Sequence, residues 1–344
     1  MSREPSTAVD ATVRAVATEP WPRGGWTPDV DARLDRYEDG VEAVLERDLP
    51  ALAEADRIAV VPDAHYPFHP SSGVVADPAV VVAIVAILER RTDADVAVAG
   101  RSDETIAFDR SATVLGYRSL LEGFAADLVD LAGEPTVERA LADDADGTAD
   151  REDRHPAAVS RCFVPERLVD DAVVVVPSLR PTAEDTIAGG MRTLSSLAGT
   201  TGADIESDTG TSDDGALAAT ATRAIDPVAT VLDATVAYHG RPAATTHLFA
   251  GSTPAVDAIG SSLLERPIEA DPALRRSFDG EPAIGVESVA YGDAEPDLAA
   301  VRDRLDGGGL PPADDTHPAV TAAYRLYAAI GGDAVPPQLE GGVR

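Results

Sequence analysis

The chain has 344 residues, and its 60 acidic against 28 basic side chains give a formal net charge of −32. Every basic residue is arginine, because the sequence contains no lysine, and there is a single cysteine. This composition argues against a disulfide scaffold, a cysteine-ligated cluster and a nucleic-acid binder, and no apolar run approaches the roughly 20 residues of a membrane span.

The first half of the chain predicts alternating helices and strands. Residues 57–62 form a short apolar run that ends at a proline, which indicates a buried strand. After a loop over 63–76, Asp77-Pro78 supplies an N-cap and a first-turn proline that open a helix. The elements predicted here are helices at 8–18, 29–55 and 79–91 and strands at 57–62, 96–99 and 127–131.

The second half continues the same alternation after an acidic stretch, 133–158, that predicts a long surface loop. Residues 172–177 are a continuous β-branched run, which suits a parallel strand covered on both faces. The Thr, Gly, Asp and Ser-rich segment 200–215 is expected to be mobile. The further predicted elements are helices at 187–198, 254–264, 296–305 and 317–330, strands at 229–236, 246–249 and 284–290, and a fraying tail after 331.

Strands that alternate with helices predict an α/β protein with a mostly parallel sheet and flanking helices. The two halves could form two lobes on either side of the acidic stretch. The expected organisation is an N-terminal helical extension (1–54), a first α/β lobe (55–132), an acidic linker or loop (133–158), a second α/β lobe (159–331) and a C-terminal tail (332–344).

The common cofactor and hydrolase signatures are missing from the sequence. No G-x-G-x-x-G follows the first strand, there is no H-E-x-x-H, C-x-x-C or G-x-S-x-G, and a P-loop would need a lysine. Candidate chemistry must therefore come from polar residues near strand ends, because open α/β sheets bind ligands beyond the carboxyl ends of their strands.

The densest cluster of such residues is the loop directly after the 57–62 strand. His65 and His69 could act as acid, base or metal ligands, with Asp63 beside them. The alternative is a loop made rigid by its prolines, in which the histidines only cap neighbouring groups.

Two arginines flank the loop that follows the 172–177 strand. The planar guanidinium groups of Arg180 and Arg192 could clamp a carboxylate or a phosphate, and Gly189-Gly190 would let the backbone approach a ligand. The alternative is that both arginines pair with some of the many surface acids.

A third group of candidates follows the 229–236 strand. His239 could move protons as His65 could, and Asp233 or Asp257 could orient a histidine or hold a divalent ion. Asp257 lies early on an apolar helix, so its alternative role is an interaction with the helix dipole.

The order of these segments resembles the domain of unknown function 362 family. That family has a strand ending in Lys-Pro-Asn, a Gly-rich loop before a Thr-Asp-Pro helix, a Leu-Gly-Tyr, a Val-Pro-Lys-Leu-Lys strand end, a Leu-Lys-Asn-Leu helix and an Ala-Val-Asp-Ala helix. The matching residues here are Val60–Asp63 with Gly73–Ala83, Leu115–Tyr117, Val176–Arg180, Met191–Leu194 with Gly199, Asp233, and Ala255–Ala258.

The chain also departs from this family pattern. The lysine of the first motif is lost, the two later lysines become Arg180 and Arg192, and the asparagine becomes Thr193. Many members carry cysteine-rich iron–sulfur segments, whereas one cysteine cannot supply the four thiolates that such a centre usually takes. We therefore expect no iron–sulfur cluster, and the sequence names no other cofactor or metal.

These observations favour a cytoplasmic α/β protein that binds, and could act on, a small anionic metabolite or cofactor at the strand ends. The catalytic candidates are His65, His239 and Asp233, and the ligand-binding candidates are Arg180, Arg192, Thr193 and Asp257. The alternatives are a non-catalytic ligand-binding protein and a partner-binding protein. A more remote similarity, to nickel-dependent lactate racemases, rests on architecture alone, which does not transfer function. Nucleic acid and membrane are not expected as partners, and a homo-oligomer is left open.

The charge points to surroundings of high salt. A net charge of −32 on one chain repels itself strongly in dilute buffer, and this self-repulsion destabilises the compact state. At molar salt the Debye length falls to about 3 Å and most of the repulsion disappears. A GC-rich genome would explain the loss of lysine but not an acid-to-base ratio above two, so we expect a halophilic protein.

We predict that the melting temperature rises steeply with KCl concentration and that the fold is lost in dilute buffer. The measurement is a thermal melt, followed by circular dichroism, at KCl concentrations from millimolar to molar. A melting temperature that is flat over this range would contradict the expectation.

Overall fold

The computed structural model describes residues 12–18, 30–65, 68, 70–103, 106–140, 161–182, 187–199, 214–278, 283–289, 291 and 295–306. Its strands are β1 (Thr12–Ala17), β2 (Arg57–Pro62), β3 (Asp95–Gly100), β4 (Asp127–Asp130), β5 (Thr136–Ala140), β6 (Arg161–Pro165), β7 (Ala172–Val176), β8 (Ala229–Tyr238), β9 (Pro242–Gly251) and β10 (Gly285–Ser288). Its helices are α1 (Val30–Leu45), α2 (Leu49–Ala53), α3 (Pro78–Arg91), α4 (Phe108–Val114), α5 (Tyr117–Leu121), α6 (Glu166–Asp170), α7 (Gly190–Leu197), α8 (Asp214–Ile225), α9 (Thr253–Leu263), α10 (Pro272–Ser277) and α11 (Leu298–Leu305).

Eight of the described strands form one sheet in the order β10-β1-β9-β8-β7-β2-β3-β4. The five strands from β8 to β4 are all parallel, and β10 is parallel to β1. Only β9, among these strands, is antiparallel to both of its neighbours. The structure therefore confirms an α/β fold with a mostly parallel sheet, and strands from both of the expected lobes share that sheet.

The central strands are covered on both faces, as their apolar sequences predict. On β2, Ile58 and Val60 pack with α1 and α3 on one face of the sheet. Ala59 and Val61, which alternate with them, pack with α7, α8 and the β5–β6 pair on the other face. Because successive side chains of a strand point to opposite faces, one short apolar run supplies two layers of core.

Two predicted helices near the N-terminus are wrong in part. Within the helix expected at 8–18, residues 12–17 form the strand β1, which lies between β9 and β10 and is buried from Val13 to Ala17. Pairing on both edges and burial override the weak helical spacing of this alanine-rich segment. The helix expected at 29–55 is divided into α1 and α2, and Pro50 lies in the first turn of α2, where proline is tolerated.

Two acidic or polar stretches also contain structure that the sequence does not reveal. Within the loop expected at 133–158, residues 136–140 form β5, which pairs antiparallel with β6. The helix α8 follows the polar 200–213 stretch and was not predicted, although it buries Ala216, Ala218 and Ala219. Because alanine and threonine occur on both buried and exposed faces, the sequence of α8 shows no clear hydrophobic periodicity, and only its packing in the structure identifies it as a helix. The segment 200–213, the helix predicted at 317–330 and the tail lie outside the described residues.

The sheet topology places a switch point between β2 and β7. From β2 the chain moves outward to β3 and β4, and later returns to β7 on the opposite side of β2. Such a reversal of strand order opens a crevice at the carboxyl ends of the two strands, which is where ligands bind in open α/β sheets. Among the described helices, none is both long and apolar enough to cross a membrane.

Candidate functional site

Asp63 lies at the carboxyl end of β2, on the edge of this crevice. Its backbone N–H donates to the carbonyl of Val176 on β7 at 2.9 Å, and its carbonyl accepts from the N–H of Ala76 at 3.0 Å. The residue is 1% exposed. Both strands at the switch point therefore fix the position of this carboxylate.

Both carboxylate oxygens of Asp63 have hydrogen-bonding partners. Oδ1 lies 2.9 Å from Nδ1 of His65, while Oδ2 accepts from the hydroxyl of Ser178 at 2.8 Å and from Nη2 of Arg180 at 3.3 Å. Burial by itself would raise the pKa of Asp63. The charge of Arg180, the hydrogen bond and charge of His65 and the hydrogen bond from Ser178 outweigh burial and lower this pKa to about 2. Asp63 is thus a buried carboxylate anion.

His65 connects this buried carboxylate to the surface. Its Nδ1 faces Asp63, and its Nε2 lies 2.6 Å from the hydroxyl oxygen of Ser196 on α7. The imidazole is 32% exposed and Ser196 is exposed. An ionised carboxylate accepts only, so Nδ1 carries a proton and Nε2 is the nitrogen that can exchange one.

The contacts of Ser196 accommodate both protonation states of His65. The Ser196 hydroxyl also lies 2.7 Å from the carbonyl oxygen of Thr193. When the ring is neutral, the hydroxyl can donate to Nε2. When the ring is protonated, Nε2 donates to the hydroxyl oxygen and the hydroxyl proton turns to the Thr193 carbonyl.

Arg180 supplies positive charge with spare donors. Its side chain is 19% exposed, and Nη2 reaches Asp63. Its Nε is buried and has no hydrogen-bond partner among the residues that the structure describes. A guanidinium has five N–H donors in a fixed fork, so a carboxylate or phosphate in the crevice would find donors there.

Tyr117 is a buried residue close enough to Asp63 and Asp233 for their charges to act on it. The residue is fully buried, and its hydroxyl has no hydrogen-bond partner within the described part of the chain. Burial raises the pKa of Tyr117, and the negative charges of Asp233 and Asp63 raise it further. The phenol is therefore a neutral donor close to two carboxylates.

Asp233 is held by backbone groups. One carboxylate oxygen accepts from the N–H of Asp77 at 2.6 Å, and the other accepts from the N–H and the hydroxyl of Thr235 at 2.9 and 2.6 Å. Its backbone bridges to Ser178, whose hydroxyl donates to Asp63. These contacts place Asp233 next to the Asp63 network and fix the start of α3, because Asp77 is the N-cap of that helix.

Asp257, Arg192 and Thr193 lie around the first turn of α7. The two carboxylate oxygens of Asp257 accept from the N–H groups of Gly190 and Met191 at 2.7 and 2.9 Å, so this acid of α9 caps α7. Arg192 and Asp257 line a small cavity with Met191 and Asp271. The hydroxyl of Thr193 donates to the Gly189 carbonyl at 3.0 Å.

His239 lies at the end of β8 in different surroundings. Burial lowers its pKa, the charge of Arg241 lowers it further, and a backbone group of Leu305 partly offsets both. The structure thus brings together His65 and Arg180 through Asp63, with Asp233 adjacent. It places Arg192 and Asp257 in the cavity at α7 and His239 beside α11. The catalytic and ligand-binding roles of all these residues stay predictions.

Sequence reasoning missed Ser196 and Ser178 as members of the network. Ser178 directly follows the predicted strand, so its position was a usable signal. Ser196 is 131 residues from His65, and nothing local to either residue indicates their contact. His69 lies outside the described residues. No group of three His, Cys, Asp or Glu side chains arranged for a metal ion occurs among the residues described.

Comparison with known proteins identifies a family over more than half of the chain. Residues 58–262 match the model of the family described as "Domain of unknown function (DUF362)". This range includes Asp63, His65, Arg180 and Ser196. No curated protein matches the chain, and no solved structure matches it.

We predict that Asp63→Asn lowers stability in a pH-dependent way. The pKa of Asp63 is lowered from 3.8 to about 2 on folding, so the carboxylate stabilises the folded state above pH 4. The contribution, about 2 kcal/mol at neutral pH, is lost as the pH falls through 2. The free energy of unfolding, measured with urea in molar KCl, should therefore be lower for the variant than for wild type at pH 4, and this difference should shrink as the pH falls to 2.

Asp95→Asn is the matched control, because it makes the same charge change at an exposed residue. Asp95 begins β3, so it lies at the amino-terminal end of the parallel strands, away from Asp63. The free energy of unfolding of Asp95→Asn should differ little from that of wild type at every pH from 4 to 2. A difference for Asp63→Asn that is constant with pH would show that the carboxylate is not held as an anion in the fold.

Proposed function

Because the chain belongs to the DUF362 family, whose description names no activity, we propose its function from the site itself. The chain binds a small anionic molecule in the crevice between β2 and β7, and His65 exchanges a proton with it. The observation that carries this proposal is that Arg180 and His65 share one buried carboxylate, Asp63, at the switch point of the sheet.

The binding half of the proposal rests on Arg180. Its contact with Asp63 occupies one nitrogen, and its Nε is a buried donor with no described partner. The Arg180 side chain is 19% exposed, so an anion in the crevice can reach part of it. The Asp63 carboxylate also fixes the guanidinium, so less side-chain entropy is lost when an anion binds.

The proton-transfer half rests on the orientation of His65. Asp63 holds Nδ1–H, so Nε2 is presented to the open side of the crevice beside Ser196. A carboxylate in this position also stabilises the imidazolium that forms when His65 takes a proton. An oriented histidine that reaches solvent is more than a binding protein needs, which favours catalysis over simple ligand binding.

The overall charge is consistent with a small partner. A chain of −32 repels anionic polymers over long distances, whereas a small anion needs only the local field of an arginine. In molar salt, screening confines electrostatic interactions to about 3 Å, so direct contacts in the crevice decide affinity. We therefore include a salt-rich cytoplasm in the proposal.

We predict that Arg180→Lys weakens binding of the retained anion by roughly 10- to 100-fold, since charge-assisted hydrogen bonds contribute about 1.5–3 kcal/mol. Lysine keeps the charge beside Asp63 but loses the fork. The anion is identified by mass spectrometry of what is released from protein purified in molar KCl, and its Kd is measured by calorimetry.

Arg57→Lys is the matched control, because Arg57 begins β2 at its amino-terminal end, away from Asp63, and pairs with Asp171 at 2.8 Å. It should leave the Kd unchanged. Equal losses in both variants, or no loss in Arg180→Lys, would remove Arg180 from the binding site.

A further inference from the structure

The contacts around His65 point to Ser196 as more than a passive neighbour. The hydroxyl of Ser196, Nε2 and Nδ1 of His65 and Oδ1 of Asp63 form a continuous chain, with separations of 2.6 Å and 2.9 Å. In this order a base accepts the hydroxyl proton while a buried carboxylate orients that base, which is the arrangement that activates a serine nucleophile.

Solvent exposure increases along this chain of contacts, from Asp63 through His65 to Ser196. Asp63 is buried, His65 is partly exposed and Ser196 is exposed, so the hydroxyl is the end of the chain that a substrate can reach. Ser178 and Arg180 hold the second oxygen of Asp63, which leaves Oδ1 to His65.

Two arginines are linked to the surroundings of the serine. Arg101, just after β3, donates from Nη1 to the carbonyl of Leu197 at 2.7 Å and so lies one residue from Ser196. Arg180 contacts Asp63, the carboxylate that holds His65. This setting suits a substrate that carries a negative charge.

We infer that Ser196 is a nucleophile that cleaves carboxylic esters bearing a second, negatively charged group. The inference rests on the proposed function, because it assigns a reaction to the same crevice.

In this reaction the Ser196 oxygen bonds to the ester carbonyl carbon, its proton passes to Nε2 of His65, and the carbonyl electron pair moves onto oxygen. Collapse of this oxyanion breaks the bond to the alcohol, which leaves with the proton from His65. Water then attacks the acyl-serine in the same way, and the products are a carboxylic acid and free Ser196.

The test is labelling of the full chain in molar KCl with an alkyl fluorophosphonate, in which the serine oxygen displaces fluoride from phosphorus. Intact-mass spectrometry and peptide mapping should find one label, on Ser196. Ser196→Ala should abolish it, and His65→Gln should slow it at least about 100-fold. Ser195→Ala is the matched control, because the Ser195 hydroxyl donates to the Arg192 carbonyl at 2.9 Å, and it should label as wild type does.

Ester hydrolysis tests the charge preference. p-Nitrophenyl succinate should be cleaved faster than p-nitrophenyl acetate, and Arg101→Gln should reduce that preference. An equal rate for the two esters would overturn the assignment of an anionic substrate.

The two proposals fail in distinguishable ways. If the retained anion binds with an unchanged Kd but wild type is not labelled, or if Ser196→Ala is labelled as fast as wild type, the nucleophile is overturned and the proposed function stands. If Ser196 is labelled but no anion is retained or bound, the proposed anion site is overturned and the serine assignment stands without its substrate class.

Discussion

The buried carboxylate of Asp63 is the interaction on which the rest of the site depends. It lies at the carboxyl ends of β2 and β7, and its backbone N–H donates to the Val176 carbonyl of β7. An isolated anion in such a position would be costly, so its partners are structural requirements as much as functional ones. Satisfying the charge brings Ser178, Arg180 and His65 to one point, so a histidine and an arginine lie together at the strand ends.

The aspartates around this centre have different structural roles, which are set by the groups that donate hydrogen bonds to each carboxylate. Asp63 accepts from the side chains of His65, Ser178 and Arg180. Asp257 accepts from two backbone N–H groups of α7, and Asp233 accepts from the backbone before α3. The last two therefore set the positions of helices that line the crevice. Ser196 is on α7, so Asp257 positions the hydroxyl that meets His65 without touching it.

The sequence predicted the part of the fold that local patterns determine. The apolar runs of β2, β3 and β7 and the Asp77-Pro78 helix start were enough to infer a parallel sheet, and the parallel sheet was enough to look for function at strand ends. That reasoning selected His65, Arg180 and the neighbouring Asp63, which hydrogen bonds join in the structure. It did not find β1, whose identity depends on pairing with β9 and β10, or the contact of Ser196 with a histidine 131 residues away. Nor could it show that Asp257 caps α7, because the two hydrogen bonds of that cap join residues that are 67 and 66 positions apart in the sequence.

The tautomer of His65 tests the central claim most directly, namely that Asp63 orients this imidazole. Nitrogen-15 NMR of histidine-labelled protein in molar KCl, with His65 assigned by its loss in His65→Gln, reports which ring nitrogen carries the proton when the ring is neutral. The account predicts a proton on Nδ1 and a bare Nε2, and a loss of that preference in Asp63→Asn. A neutral His65 with its proton on Nε2 in the wild-type protein would contradict it.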